Sequence, residues 1–421
     1  MATTHSLPFK TLEAMLRKTT EYFAHAVTRP DAAPPQWSDT EWRIGKAALS
    51  LQGMSVPIAD TSPWRGPDNW EDHQREQIRQ ALLRYERVAE LLLQLDAAAQ
   101  RERVSFVALK GAALYRLGVY RPGRRSMGDI DLLVQSDQAK AARRMIESIG
   151  YAEAFEMQRH MAFEPIGDKK FVGLGEHIDN PIKIELHTKI AEALPIAQVD
   201  ITAFVFPQRA IPGVNDYPSL AALMRHLLLH AAGNIRARAL RQIQIHDIAL
   251  LAQRMQAGDW NELLETSDRR GLWWALPGLA LAARYYPNCI PVAALASTER
   301  GCPAWLRLAT RHHELSDVSW SKIRIQAFPG IEWSKSVGEM LAFARTRLVP
   351  TRTELTAVKY LADTQSWARQ VPWYGQAHVT RILRWIFSRP PRVQTMYSVQ
   401  CALEQDAPPS VAVDHPSPMT A

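Results

Sequence analysis

The sequence predicts an α+β protein: a small mixed β-sheet with flanking helices, set between helical N- and C-terminal regions. Three observations carry that expectation. Apolar residues recur at three- and four-residue spacing through the first hundred residues, and again from Ser219 onward. Between those regions, short apolar and β-branched runs at Val104–Leu109, Asp129–Val134 and Ile182–Leu186 alternate with helical stretches. The chain has 421 residues, 47% apolar and 22% charged, which is the balance of an average globular protein and the length of two or three domains.

In order along the chain, Phe9–Val27 and Trp37–Leu51 read as helices, Pro57–Pro67 as a Pro/Gly-marked loop, and Glu71–Gln100 as a long helix. That helix carries Tyr85, Val88, Leu92 and Leu95 on one stripe, the pattern of packing against a core. Val104–Leu109 is a strand broken by Lys110-Gly111, and Ala112–Leu117 a helix; Gly118–Gly123 is a loop. Asp129–Val134 is the next strand and Asp137–Ile149 an amphipathic helix; further strand-like runs lie around Phe171–Leu174 and Ile182–Leu186. The helical period returns in Leu220–Ala232, Ala239–Met255 and Trp260–Thr266, and continues in pieces to about Arg389. Asp406–Ala421 holds four prolines and little to bury, the composition of a disordered tail. The expected division is a helical region over 1–100, an α/β core over 101–215, a helical domain packed on the core over 216–300, a basic Trp-rich helical region over 301–405, and the tail.

The formal net charge is +7, and its location is informative. Between Arg307 and Arg392 there are 14 Lys/Arg against 6 Asp/Glu, together with Trp320, Trp333, Trp367, Trp373 and Trp385. An anionic partner is one expectation there: nucleic acid held by Arg on phosphates and Trp on bases, or anionic lipid met by Val379–Phe387. The alternative is tryptophans in a helical core and arginines on a solvated face. Three scattered cysteines, Cys289, Cys302 and Cys401, exclude a disulfide framework and point to a reducing, cytoplasmic setting. The longest uncharged apolar stretch, Leu272–Ala283, has 12 residues, short of the roughly 20 that span a bilayer. No Gly-Lys-Ser/Thr loop, complete dinucleotide fingerprint or Gly-x-Ser-x-Gly elbow occurs.

The chemistry concentrates in Arg124-Arg125-Ser126-Met127-Gly128-Asp129-Ile130-Asp131-Leu132-Leu133-Val134. Alternate side chains of a strand share a face, so Asp129 and Asp131 project together while Ile130 and Leu132 enter the opposite layer. Two carboxylates so close repel each other without a cation; hard divalent metals, which take oxygen ligands, turn them into a clamp. Eighteen residues before Asp129, the Lys110-Gly111 turn joins a strand to a helix, where backbone N–H groups and the Lys110 amine suit a phosphate. Downstream, Ile182-Lys183-Ile184-Glu185-Leu186-His187 alternates too, bringing Glu185 onto one face with Lys183 and His187. His226 and His230 share a helical face but lack the glutamate of a metalloprotease helix, and are expected at a pocket edge or in a structural role. His246-Asp247 would point apart on a helix, and His312-His313-Glu314 has no partner spacing.

This ordered set resembles the nucleotidyltransferase superfamily, the polymerase-β-like fold, and most closely an uncharacterised bacterial branch of it. The resemblance runs from about Val104 to Leu251 through Leu109-Lys110-Gly111, Tyr120-Arg121-Pro122, Arg125, Asp129-Ile130-Asp131-Leu132-Leu133-Val134, Gly150-Tyr151, Ile184-Glu185-Leu186-His187, His226 through Ala232, and Asp247. It implies transfer of a nucleoside monophosphate from a nucleotide triphosphate to an acceptor, with two Mg²⁺ ions. By that implication Asp129 and Asp131 hold both metals, Glu185 holds one beside the acceptor, Lys110 and Gly111 lie against the triphosphate, and Arg125 adds a phosphate cation. The acceptor is left open among an RNA end, a protein side chain and a small hydroxylated metabolite. One departure stands out. Most active members have Gly-Ser or Gly-Gly in the turn, whereas here Gly111 is followed by Ala112-Ala113, with no hydroxyl. Two rival readings follow: a catalytically silent nucleotidyltransferase fold used for binding or scaffolding, and a nucleic-acid-binding adaptor.

Overall fold

A computed structural model describes residues 7–61, 66–156, 160–167, 174–265, 270–349, 355 and 378–405. Its strands are β1 (Ser105–Ala108), β2 (Asp129–Val134), β3 (Tyr151–Glu156), β4 (His160–Pro165), β5 (Lys183–His187), β6 (Ala191–Ala193), β7 (Gln198–Asp200) and β8 (Gly213–Asn215). Six of them form one sheet in the order β3-β4-β5-β2-β1-β8, while β6 and β7 make a separate hairpin. β2 lies between β5, which runs parallel to it, and β1, which runs antiparallel. The sheet is therefore mixed, as expected of an α+β core.

The first helices are α1 (Phe9–Ala26), α2 (Asp39–Gln52), α3 (Ser55–Thr61) and α4 (Asp68–Glu102), and α5 (Lys110–Arg116) and α6 (Ala139–Ser148) lie within the sheet region. After α7 (Thr202–Val205) and β8 the named elements among the described residues are helices: α8 (Leu220–Ala237), α9 (Gln242–Ala252), α10 (Ala257–Leu264), α11 (Leu276–Tyr285), and further helices on to His378–Ser388 and Val393–Gln405. Local chemistry sets several ends. Ser38 and Glu41 form a reciprocal capping box on α2, and Gly53 closes it in the left-handed region at φ +69°. Ser219 caps α8 by accepting the N–H of Ala222.

Strand alternation divides the sheet into two faces with different neighbours. Phe106, Ile130, Leu132, Val134, Ile184 and Leu186 pack with Val88, Leu92 and Leu95 of α4 and with Met145 and Ile146 of α6. On the opposite face Val107 and Leu133 join a larger core with Leu223, Met224, Leu227 and Leu228 of α8, continuous with Phe23, Trp42 and Trp70 of the N-terminal helices. Asp129, Asp131, Glu185 and His187 belong by alternation to this second face. There Leu133 of β2 shares a core with α8, while Glu185 and His187 of β5 line a cleft.

Three expectations change. Pro57 falls inside α3 rather than in a loop; in a helix's first turn its missing N–H has no intrahelical partner to lose. The β3–β4 hairpin was not foreseen, because its alternation is diluted by alanines and by Glu153 and Glu164, which pair with Arg143 and Lys183. Of the strand-like run around Phe171–Leu174, only Leu174 is within the described residues, and it is not in a strand.

The described part of the basic C-terminal region spends many of its aromatic and cationic groups inside the molecule. Trp333 is fully buried, Arg392 stands over the Trp320 ring at 5.1 Å, and Arg347 over Trp385 at 5.9 Å. Arg381 is buried and Arg324 pairs with Glu13 of α1. Trp367, Trp373 and the tail 406–421 lie outside the described residues. Among the described residues no helix is long and apolar enough to cross a membrane.

Candidate active site

The parallel pairing of β2 with β5 sets Asp131 opposite Glu185, Asp129 opposite Lys183 and Leu133 opposite His187. Paired residues on adjacent strands share a face, so both strands contribute carboxylates to one surface. Asp131 is the inner member, 5% exposed, and Asp129 the outer one, half-buried. The Lys110 Nζ reaches Asp131 Oδ1 at 2.7 Å, and His187 Nε2–H donates to the same oxygen at 2.9 Å. His187 Nε2 also stands 3.6 Å from Glu185 Oε2, and His160 Nε2, from the neighbouring β4, 3.8 Å from it.

Electrostatics separate the two aspartates. Burial pushes the Asp129 carboxyl up to about 6, with Asp131 and Glu185 adding repulsion that Lys110 and Arg241 only partly offset. Burial acts on Asp131 in the same direction, but Lys110 and the His187 hydrogen bond override it and hold Asp131 well below the usual carboxylate range. Lys110 and His187 are in turn shifted upward: burial opposes their charge, yet Asp131 and Glu185 outweigh it. Asp129, Asp131 and Glu185 are hard oxygen donors converging on one edge, where burial and the two neighbouring carboxylates together disfavour an ionised Asp129. That donor set fits a divalent cation.

The turn that carries Lys110 is strained and crowded. Lys110 adopts φ +46°, a region costly for a residue with a side chain. The N–H groups of Ala112 and Ala113 both point to the Leu109 carbonyl, and Tyr217 stands beside the Lys110 backbone. Gly111 serves packing: a Cβ there would fall 2.4 Å from Arg125 Nη1. Arg125 in turn is locked to Asp247 of α9 by two hydrogen bonds of 2.9 and 2.7 Å, and the Tyr120 hydroxyl donates to Asp247 at 2.6 Å. Of the six residues singled out from sequence, Asp129, Asp131, Glu185 and Lys110 thus meet at one edge. Gly111 and Arg125 lie together behind the turn, joining it to α9.

Sequence reasoning had placed His187 on the Glu185 face but given it no role, and it had missed His160. The signal for His160 was the alternation of β4, which becomes legible only once β4 is known to pair with β5, His160 opposite His187. His226 and His230 of α8 do line the cleft, with Lys110, His160, Glu185, His187, Lys189 and Glu192, around about 250 Å³. Burial, reinforced by the Lys110 charge, pushes His226 down to about 3 and His230 well below the ordinary imidazole value, so both rings are neutral. The Tyr217 hydroxyl lies 2.6 Å from His226 Nδ1, tying α8 to the turn.

No curated protein and no solved structure matches the chain. A family model described as "Uncharacterised nucleotidyltransferase" matches residues 59–287, from α3 to just past α11. Its span includes every residue of the acidic edge, the turn and the α9 anchor. The family supports a general nucleotidyl-transfer role, and with it a nucleotide substrate and a divalent metal in general terms. Because the match takes in more than half of the sequence, the chain belongs to this uncharacterised nucleotidyltransferase family.

Proposed function

We propose that the protein is a Mg²⁺-dependent nucleotidyltransferase that moves a nucleoside monophosphate from an NTP to a hydroxyl-bearing acceptor. One observation carries the reading: Asp131 and Glu185 stand in register on adjacent parallel strands, Asp129 lies one alternation away, and Lys110 closes the group at 2.7 Å from Asp131. Asp129, Asp131 and Glu185 would hold the metal ions, which supply charge neutralisation of the polyphosphate and activation of the attacking oxygen. The acceptor oxygen forms a bond to the α-phosphorus as pyrophosphate leaves, and the hydroxyl proton passes to a base, for which Glu185 is suited by its exposure at the cleft. Lys110, held protonated, counters charge on the phosphates. Arg125 acts through packing, holding the Gly111 turn against α9.

Calorimetry with each NTP and Mg²⁺, comparing wild type with Asp129→Asn/Asp131→Asn, tests the site. Nucleotide affinity should fall at least about tenfold in the double variant, equivalent to about 1.4 kcal/mol. Equal binding by the two proteins rejects the reading.

The second reading, a catalytically silent binding module, is favoured by the turn itself. It offers no hydroxyl at Ala112 or Ala113, and the N–H groups of both already point to Leu109. Incubation with labelled NTPs and cell extract separates the two: transfer of label supports the enzyme, and nucleotide binding with no label transferred under any metal supports the silent module.

A further inference from the structure

We propose that His160, Glu185 and His187 form a transition-metal site, suited to Zn²⁺ or a similar borderline ion, on the wall of the cleft. The assignment stands on the imidazole pair and holds whether or not the chain transfers nucleotides. Glu185 and His187 are two apart on β5 and therefore share a face, and β4 pairs antiparallel with β5 so that His160 is directly opposite His187. Directly opposed side chains on neighbouring strands are near enough to act together. The result is a three-donor patch in which His160 Nε2 and His187 Nε2 approach Glu185 Oε2 at 3.8 and 3.6 Å, and one donor atom from each residue lies within 4.8 Å of the others. Ligands of a tetrahedral Zn²⁺ at about 2.0–2.1 Å are separated by roughly 3.3–3.5 Å, so small rotations of the side chains complete the site.

The site shares Glu185 with the acidic edge but differs from it in donor chemistry. Two imidazoles and one carboxylate suit zinc, manganese or cobalt, whereas magnesium prefers oxygen and water. Two histidines and a glutamate would leave a fourth position free on a tetrahedral ion, and here all three residues line the open cleft. On binding, the metal would displace the proton of His187 Nε2 to solvent through the cleft and end its hydrogen bond with Asp131 Oδ1, leaving Asp131 with Lys110. The backbone is already rigid at all three positions, since each lies within a paired strand of the central sheet.

The test uses the nucleotide-free full chain, stripped with chelator, and calorimetric titration with Zn²⁺, Mn²⁺ and Mg²⁺ in separate arms. One Zn²⁺ per chain should bind, at least about 100-fold more tightly than Mg²⁺, and His160→Ala and Glu185→Gln should each weaken Zn²⁺ at least about tenfold. Co²⁺ in place of Zn²⁺ should give visible absorption bands that His160→Ala abolishes. His160→Ala is the primary variant because His160 begins its strand, and circular dichroism checks that the variant folds. Should it fail to fold, His160→Gln replaces it, with the same loss of Zn²⁺ affinity expected. Zn²⁺ affinity unchanged in these variants, or no Zn²⁺ preference over Mg²⁺, overturns the assignment. Loss of Zn²⁺ binding with NTP binding retained in His160→Ala, which leaves Asp129, Asp131 and Glu185 in place, separates this site from the nucleotidyl-transfer reading, which Asp129→Asn/Asp131→Asn tests.

Discussion

Replacing Asp247 with alanine should be among the most damaging single changes outside the apolar core, although Asp247 touches neither the cleft nor the acidic edge. Its carboxylate accepts two hydrogen bonds from Arg125 and one from Tyr120, with side-chain exposure of 3% for Asp247 and 15% for Arg125. The truncation strands a buried guanidinium whose protonated form Asp247 stabilises, and leaves the Tyr120 hydroxyl without its acceptor. Breaking a buried pair from one side costs about 3–5 kcal/mol, and the orphaned hydroxyl adds about 1 kcal/mol. Urea unfolding of Asp247→Ala should therefore show a loss of roughly 4–6 kcal/mol. The double variant Arg125→Met/Asp247→Leu, which removes both charges and keeps apolar volume, should recover most of that loss. If Asp247→Ala unfolds within about 1 kcal/mol of wild type, or the double variant is as unstable as the sum of its single changes, the buried pair is not the strut inferred here.

Gly111→Ala should cost about 1–3 kcal/mol by overpacking, since its Cβ would lie 2.4 Å from an Arg125 nitrogen that Asp247 holds in place; an unchanged melting temperature would contradict this. His246, pushed down to about 4 mainly by burial, is neutral in the fold but protonates near 6.5 when unfolded. The unfolded chain thus takes up the extra proton between those values, so stability falls with pH from about 6.5 to about 4, by on the order of 3 kcal/mol for this group. His246→Gln should flatten that part of the stability curve, and parallel curves would refute the assignment. Ser219→Ala should lower stability by about 1 kcal/mol through loss of the α8 cap, measured by urea unfolding, while Ser219→Gly should cost only a few tenths. Lys110→Met should reduce NTP affinity in the presence of Mg²⁺ by at least about tenfold, as read by calorimetry; undiminished affinity would remove Lys110 from the phosphate site.

Periodicity alone located β1, β2, β5 and most helices, because a strand between two packed layers must alternate or run apolar, and an amphipathic helix must repeat near 3.6. It also put Asp129 with Asp131, and Glu185 with His187, since those pairings depend only on spacing along one strand. Whatever depended on which strands are neighbours was not legible. The register that opposes Asp131 to Glu185, and the antiparallel partner that brings His160 to His187, are properties of the sheet and not of any segment. The family resemblance implied Arg125 as a cation for phosphate; the fold turns it toward Asp247, 122 residues away, because a buried guanidinium requires a carboxylate and α9 supplies it. Spacing along the chain therefore determined which side chains share a face, while long-range packing decided which faces meet. Charge compensation in the interior is settled between elements, at distances no local pattern can encode.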